Sequence, residues 1–308
     1  MSEHVESVKV AAVQDAPVFL DREATVDKVG RLCKEAGREG AGLIVFPETF
    51  VPTYPDWVWR TTPWADGAAQ WFARLLDQSV DVPGPTTEAL GEIAREAGAF
   101  LSIGVNERDG STLYNTQLFF GPDGVLLGKH RKLMPTGGER LVWGMGDGST
   151  LPVFDTPFGR VGALMCWENY MPLARMAMYA QGIDIYLAPT WDNTDAWVPS
   201  MQHIAKEGRV FVVGVNFCMR GSDVPADIPG RDAIYKDDDW LARGNTCIAG
   251  PEGDLLAGPM IGESGILYAD IDVSVARVSR RQFDPVGHYS RPDVFRLVVD
   301  RDPKPPVT

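Results

Sequence analysis

Three residues of this 308-residue chain stand where short apolar strands end, the place where α/β sheets collect reactive groups. Cys166 closes the run Val161-Gly162-Ala163-Leu164-Met165 and precedes Trp167-Glu168-Asn169-Tyr170 and a helical pattern. At such a turn a thiol sits exposed at the sheet's tip, near backbone N–H groups that lower its pKa and receive an oxyanion. A buried structural thiol is the other reading, since free cysteine is among the most buried residue types. Glu48 ends Leu43-Ile44-Val45-Phe46-Pro47 in the same way. Sheltered by Phe46, Phe50 and Pro52, its pKa rises by desolvation and it suits a general base; a surface loop carboxylate is the alternative. Lys132 lies in the basic run Lys129-His130-Arg131-Lys132, where Lys129 and Arg131 are expected on a solvated face. In an extended segment Lys132 points opposite to Arg131, so one of the two faces inward, and Glu139 is a candidate partner that keeps such a lysine charged. Cys33, Cys218 and Cys247 fall inside helix or strand patterns and are expected to be structural.

The elements that position these residues alternate along the chain. Val8, Val10 and Ala12 mark a first strand; after Asp21, a helix N-cap, Val26, Val29, Cys33 and Ala36 recur at helical spacing. Strands are expected at 43–46, 100–105, 113–120, 125–128, 161–165, 183–188, 210–215, 246–249, 255–256 and 266–271. Helices are expected at 71–76, 90–97, 172–181 and 201–208. Two polar stretches remain: 54–66, with three tryptophans and two prolines, and 221–239, with six aspartates. Loops this long are uncommon unless functional or at an interface, and Asp237-Asp238-Asp239 reads as solvated.

Composition excludes more than it names. Lys+Arg 29 against Asp+Glu 42 gives a net charge of −13, which disfavours nucleic acid and anionic membrane as partners. No apolar run approaches the roughly 18–20 residues of a membrane span, and Met1-Ser2-Glu3-His4 lacks the regions of a signal peptide. A reducing cytoplasm is therefore the expected compartment. The four cysteines form no CxxC pair, and His4, His130, His203 and His288 show no metal-ligand spacing. Gly262-Glu263-Ser264-Gly265 misses the GxSxG pattern, and the stretch from Gly124 to Lys129 misses a phosphate loop.

The order Glu48, Lys132, Cys166, with gaps of 84 and 34 residues, resembles the carbon–nitrogen hydrolase (nitrilase) superfamily. Phe46-Pro47-Glu48-Thr49-Phe50, His130-Arg131-Lys132-Leu133-Met134-Pro135-Thr136 and Cys166-Trp167-Glu168-Asn169-Tyr170-Met171-Pro172 resemble its nitrilase branch. So do Glu139-Arg140 with Trp143-Gly144, and Gly287-His288-Tyr289-Ser290-Arg291-Pro292. The resemblance runs from about Val8 to Phe295.

That resemblance implies one α/β domain built as a four-layer αββα sandwich over the whole chain, residues 1–308. It implies Glu48 as general base, Lys132 as electrostatic stabiliser, Cys166 as nucleophile and Glu139 as the second glutamate. Tyr54, Trp167 and Trp191 are expected to line the substrate pocket, and their aromatic character favours aryl or arylaliphatic nitriles. The implied reaction converts a small nitrile to the carboxylic acid and ammonia through a thioimidate and a thioester, with no cofactor and no metal, in a homodimer or larger homo-oligomer. Hydration that stops at the amide, amide hydrolysis, and a catalytically silent binding module are the alternatives. Three departures stand out. Gly137-Gly138 replace bulkier residues and are expected to loosen the loop of Glu139. Arg243-Gly244-Asn245-Thr246 replaces a glycine- and serine-rich run, and no long tail follows the histidine motif, which leaves His288 structural or at an interface.

Overall fold

The computed structural model describes residues 7–65 and 67–305. The N-terminal Met1-Ser2-Glu3-His4 and Asp66, at the end of the aromatic stretch, lie outside the described residues.

The alternation of apolar side chains builds two sheets. The first half of the chain supplies β1 (Ser7–Gln14), β2 (Leu43–Val45), β3 (Val80–Asp81), β4 (Phe100–Asp109), β5 (Thr112–Phe120) and β6 (Leu126–Arg131). The second half supplies β7 (Val153–Thr156), β8 (Gly159–Ala163), β9 (Ile185–Thr190), β10 (Phe211–Asn216), β11 (Cys218–Arg220), β12 (Trp240–Ala249) and β13 (Leu255–Ile261). The last strand, β14 (Gly265–Asp272), returns to the first sheet, whose order is β14-β1-β2-β4-β5-β6, with β3 beside β4. The second sheet runs β11-β12-β10-β9-β8-β7, with β13 on β12. In each sheet the central strands are parallel and the flanking ones antiparallel.

Period-two burial assigns each face. Val10, Ala12, Leu43 and Val45 of the first sheet meet Val161, Ala163, Ile185, Leu187 and Val213 of the second in one core. The opposite face of the first sheet, through Ala11, Val13, Ile44 and Leu101, packs on Val29, Cys33 and Ala36 of α1 (Arg22–Arg38), Trp71 and Leu75 of α2 (Ala68–Gln78), and Leu90 and Ala94 of α3 (Pro85–Ala97). The outer face of the second sheet, through Tyr186, Ala188 and Val212, packs on Met178 of α4 (Pro172–Tyr179) and Met201, Ile204 and Ala205 of α5 (Trp197–Gly208). Three cores between four layers make the αββα sandwich that the sequence implied, in a single domain.

Several expectations are corrected. Lys129 and Arg131 do not lie on a solvated face: both pair with the buried Glu107 of β4, and the Arg131 guanidinium covers the Tyr114 ring at 3.9 Å. β7 escaped the sequence pattern because three of its four residues are only partly covered and Asp155 is exposed, and β12 begins at Trp240 rather than residue 246. Within the aspartate-rich stretch, Asp237, Asp238 and Asp239 are exposed as expected, yet Val224, Ile228 and Tyr235 are buried in the first core.

Candidate active site

The site forms where strands of both sheets end. Glu48 follows β2, and its main chain lies directly on Gly104 of β4: a Cβ at Gly104 would sit 2.5 Å or less from Glu48 and Thr49 backbone atoms. Only glycine admits that approach. Lys132 follows β6, its N–H donating to the Asn115 carbonyl at 2.8 Å. Cys166 follows β8 and opens a short helical turn with φ of 51°, a left-handed conformation that costs a non-glycine residue about 1–2 kcal/mol. Trp191 follows β9.

These ends converge into one buried cluster. The Lys132 ammonium donates to Glu48 Oε2 at 3.1 Å and to Glu139 Oε2 at 2.8 Å. Glu48 Oε2 also accepts from Asn115 Nδ2 at 2.6 Å, and Oε1 from the Trp191 N–H at 2.8 Å. Glu139 accepts from the Tyr54 hydroxyl at 2.7 Å and from the Thr136 N–H at 2.6 Å. One oxygen of each glutamate and the Cys166 Sγ lie within 4.8 Å of one another. Two carboxylates and a thiol this close suit a cation, and Lys132 supplies one.

Burial and charge set the titration. Burial pushes the Glu48 carboxyl up; Lys132 pulls it down, Glu139 pushes it up again, and the net displacement is upward. Burial also raises the Cys166 thiol well above its ordinary range, with the Glu48 charge next and Lys132 opposing. For Lys132 burial disfavours the charge, but Cys166, Glu48 and Glu139 outweigh it and hold the amine well above its ordinary range. A protonated lysine therefore sits between one carboxylate able to take a proton and a thiol able to give one.

A family model described as carbon-nitrogen hydrolase matches residues 9–281. This chain belongs to the carbon–nitrogen hydrolase family. It is 49% identical to an aliphatic nitrilase of Sinorhizobium fredii over 302 residues, 96% of each chain. It is 45% identical to a bifunctional nitrilase/nitrile hydratase of Lupinus angustifolius, covering 98% of this chain and 88% of that one. Among solved structures, a carbon-nitrogen hydrolase from Helicobacter pylori shares the fold with a TM-score of 0.73 at 19% identity, over 96% of this chain and 98% of that one. An amidase of Nesterenkonia from the nitrilase superfamily does so with a TM-score of 0.67 at 22% identity, over 92% and 96%.

In this carbon–nitrogen hydrolase a cavity of about 670 Å³ opens onto the cluster. Its deep wall is Tyr54, Glu139, Cys166 and Trp191; Trp59, Met134, Trp167 and Met171 are more exposed and form the mouth. Tyr54 and Trp191 stack with ring centroids 4.5 Å apart and planes 7° apart. Trp167 is half exposed, its indole N–H held by Asp192 Oδ2 at 3.0 Å. All seven residues named from the sequence thus meet at the cluster or its cavity. His288 does not: it lies on the surface, 3.8 Å from Asp284.

Other residues of the site escaped the sequence reading. Trp59 donates its indole N–H to the Tyr54 hydroxyl at 3.0 Å. Trp143 faces the ammonium at 5.9 Å and is itself fixed by Asn106. Asn245, at φ of 88°, donates to the carbonyls of Asn193 and Thr194 and so holds the loop that follows Trp191. The glycine pair leaves space that an indole ring fills. A Cβ on Gly137 would come within 3.0 Å of the Trp59 ring, so the glycines let that ring lie against the turn while Thr136 and Glu139 box its start.

Proposed function

We propose that this chain is a nitrilase that converts an organic nitrile and two waters to a carboxylic acid and ammonia. The observation that carries the reading is a buried ammonium hydrogen-bonded to two carboxylates beside a thiol, at the end of an aromatic cavity. Glu48 takes the proton of Cys166 as sulfur attacks the nitrile carbon. Charge developing on nitrogen is met by Lys132 and by the N–H of Trp167, an amide of the helical turn's start that lacks an intrahelical acceptor. Proton transfer gives the thioimidate. Water activated by Glu48 adds to it, and ammonia leaves as the carbon–nitrogen bond breaks. A second water then cleaves the resulting thioester, releasing the acid and the thiol. Glu139 keeps Lys132 charged and oriented.

The aromatic wall of Tyr54, Trp59, Trp167 and Trp191 supports aromatic or arylaliphatic nitriles as substrates. The name of the Sinorhizobium relative points to aliphatic ones, and that of the Lupinus relative to partial release as amide. A panel of phenylacetonitrile, benzonitrile, a short aliphatic nitrile and the matching amides, with ammonia detection and chromatography of products, separates these outcomes. Ammonia release that persists in Cys166→Ala overturns the mechanism. No turnover of any nitrile or amide by the intact chain favours a binding module. A homodimer or larger homo-oligomer belongs to the same proposal, supported by exposed Leu173, Val278, Phe295 and Val298 and read by light scattering.

A further inference from the structure

Beside the cluster, with Glu168 also lining the cavity, lies a second buried pair that takes no part in the proposed chemistry. The Glu168 carboxylate is fully buried and reaches both sheets. Its Oε1 accepts the N–H of Leu133 at 2.7 Å, and Leu133 is the residue after Lys132. Its Oε2 accepts the N–H of Met165 at 2.7 Å, and Met165 is the residue before Cys166. His130, two residues ahead of Lys132, sets Nε2 against both oxygens at 3.1 and 2.9 Å, and its Nδ1 against the Thr150 carbonyl. A carbonyl only accepts, so Nδ1 carries a hydrogen. A carboxylate already taking two backbone N–H groups also accepts, so Nε2 carries the other. The ring is an imidazolium and Glu168 its counter-ion.

From this geometry we infer that the His130–Glu168 pair is a positioning device: it fixes the ammonium of Lys132, on the first sheet, relative to the thiol of Cys166, on the second. Each oxygen straps the backbone next to one of the two groups, and the histidine keeps the carboxylate ionised so that both straps hold. Cys166 needs such a strap, because its left-handed φ is not a conformation it adopts unaided. Charge agrees with the geometry. Burial opposes ionisation of both partners, yet their mutual attraction prevails, so His130 is held above and Glu168 below its ordinary range. The inference rests on the nitrilase reading for its effect on turnover, but not for its effect on the thiol.

Glu168→Gln is the direct test. The two N–H groups lie on different oxygens, and a carboxamide replaces one of these by an NH2 that only donates, so one strap opens. A displacement near 1 Å in such a site costs up to about 100-fold in rate. We expect kcat to fall about 10- to 100-fold with KM within about threefold. Alkylation of Cys166 by iodoacetamide, read by peptide mass, reports the thiol directly. Sγ is faced by Glu48 and Glu139, which raise its pKa, and by Lys132 and Thr190, which lower it. Loss of the strap weakens the Lys132 effect, so the alkylation midpoint should move to higher pH. His130→Ala removes the cation and should move kcat and midpoint in the same directions, which serves if Glu168→Gln does not fold. His130→Gln, which keeps a donor toward Glu168, should recover most of that loss. Folded variants with unchanged kcat and unchanged midpoint overturn the inference. So does a loss confined to melting temperature, with full kcat per alkylatable Cys166. A wild-type chain that alkylates but turns over no nitrile refutes the proposed function and leaves the strap to be judged by the midpoints.

Discussion

Glu48→Gln separates two effects that a single carboxylate exerts. As a base the carboxylate promotes thiol attack; as a nearby negative charge it opposes formation of the thiolate. The nearest oxygen and Sγ lie within 4.8 Å. Two unit charges at that distance repel by about 3.5 kcal/mol at an effective dielectric near 20. Burial is the larger reason that the thiol is held high, and the Glu48 charge comes next. The amide removes the second cause and leaves the first, with Lys132 still pulling downward. Its NH2 must turn away from Lys132 and Asn115, and so toward the Trp191 N–H that Oε1 now accepts at 2.8 Å. That lost bond costs about 1–3 kcal/mol of stability, a drop of a few degrees in melting temperature. Turnover, measured by ammonia release, should fall about 10²- to 10⁴-fold for want of a base. The midpoint of Cys166 alkylation should meanwhile move to lower pH, opposite to the shift expected for Glu168→Gln. A midpoint that stays or rises, or a variant that keeps a tenth of wild-type turnover, refutes the assignment.

Because burial and Glu139 hold Glu48 above its ordinary 4.5 against the pull of Lys132, the acid limb of kcat/KM should have its midpoint above 4.5. A profile still flat at that pH contradicts the base role. Gly137→Ala places a methyl group within 3.0 Å of the Trp59 ring at a φ of 49°, straining the turn by about 1 kcal/mol. KM should rise more for phenylacetonitrile than for a short aliphatic nitrile, and an unchanged ratio counts against Trp59 as a wall of the site. Glu107→Gln breaks a buried ion pair and should cost about 3 kcal/mol in urea denaturation at pH 7. Burial alone would raise the Glu107 carboxyl, but Arg131 and Lys129 hold it below 4.5. Its contribution is therefore complete above 4.5 and fades as pH falls through the lower folded-state value. Wild type and variant should converge in acid; a constant gap argues against the pairing.

What could be seen in the chain beforehand was local. The apolar runs before Glu48 and Cys166 marked them as strand-end residues, and the apolar patterns marked strands through Val10 and through 210–215. What escaped was set by partners distant in sequence. Lys129 and Arg131 looked solvated because Glu107 lies 22 and 24 residues earlier, on β4. His130 looked like an unremarkable member of a basic run because Glu168 and Thr150 reach it from 38 and 20 residues away. The glycines at 137 and 138 suggested slack because nothing local shows that an indole ring will fill the space beside them. The start of β12 was missed because Arg243, Gly244 and Asn245 break its apolar pattern, whereas the Arg243 and Asn245 side chains hold the neighbouring turn at Asn193.

The division of the site between the sheets has a mechanical consequence. Glu48, Lys132 and Glu139 belong to one sheet, Cys166 and Trp191 to the other, and the apolar layer between the sheets, together with the polar ties at Glu168 and Glu48, decides how the two halves line up. Chemical competence is then a property of the seam between the sheets. A small slip of one slab on the other would spoil proton transfer while leaving every strand intact. On gradual heating the molecule should stop working before it comes apart.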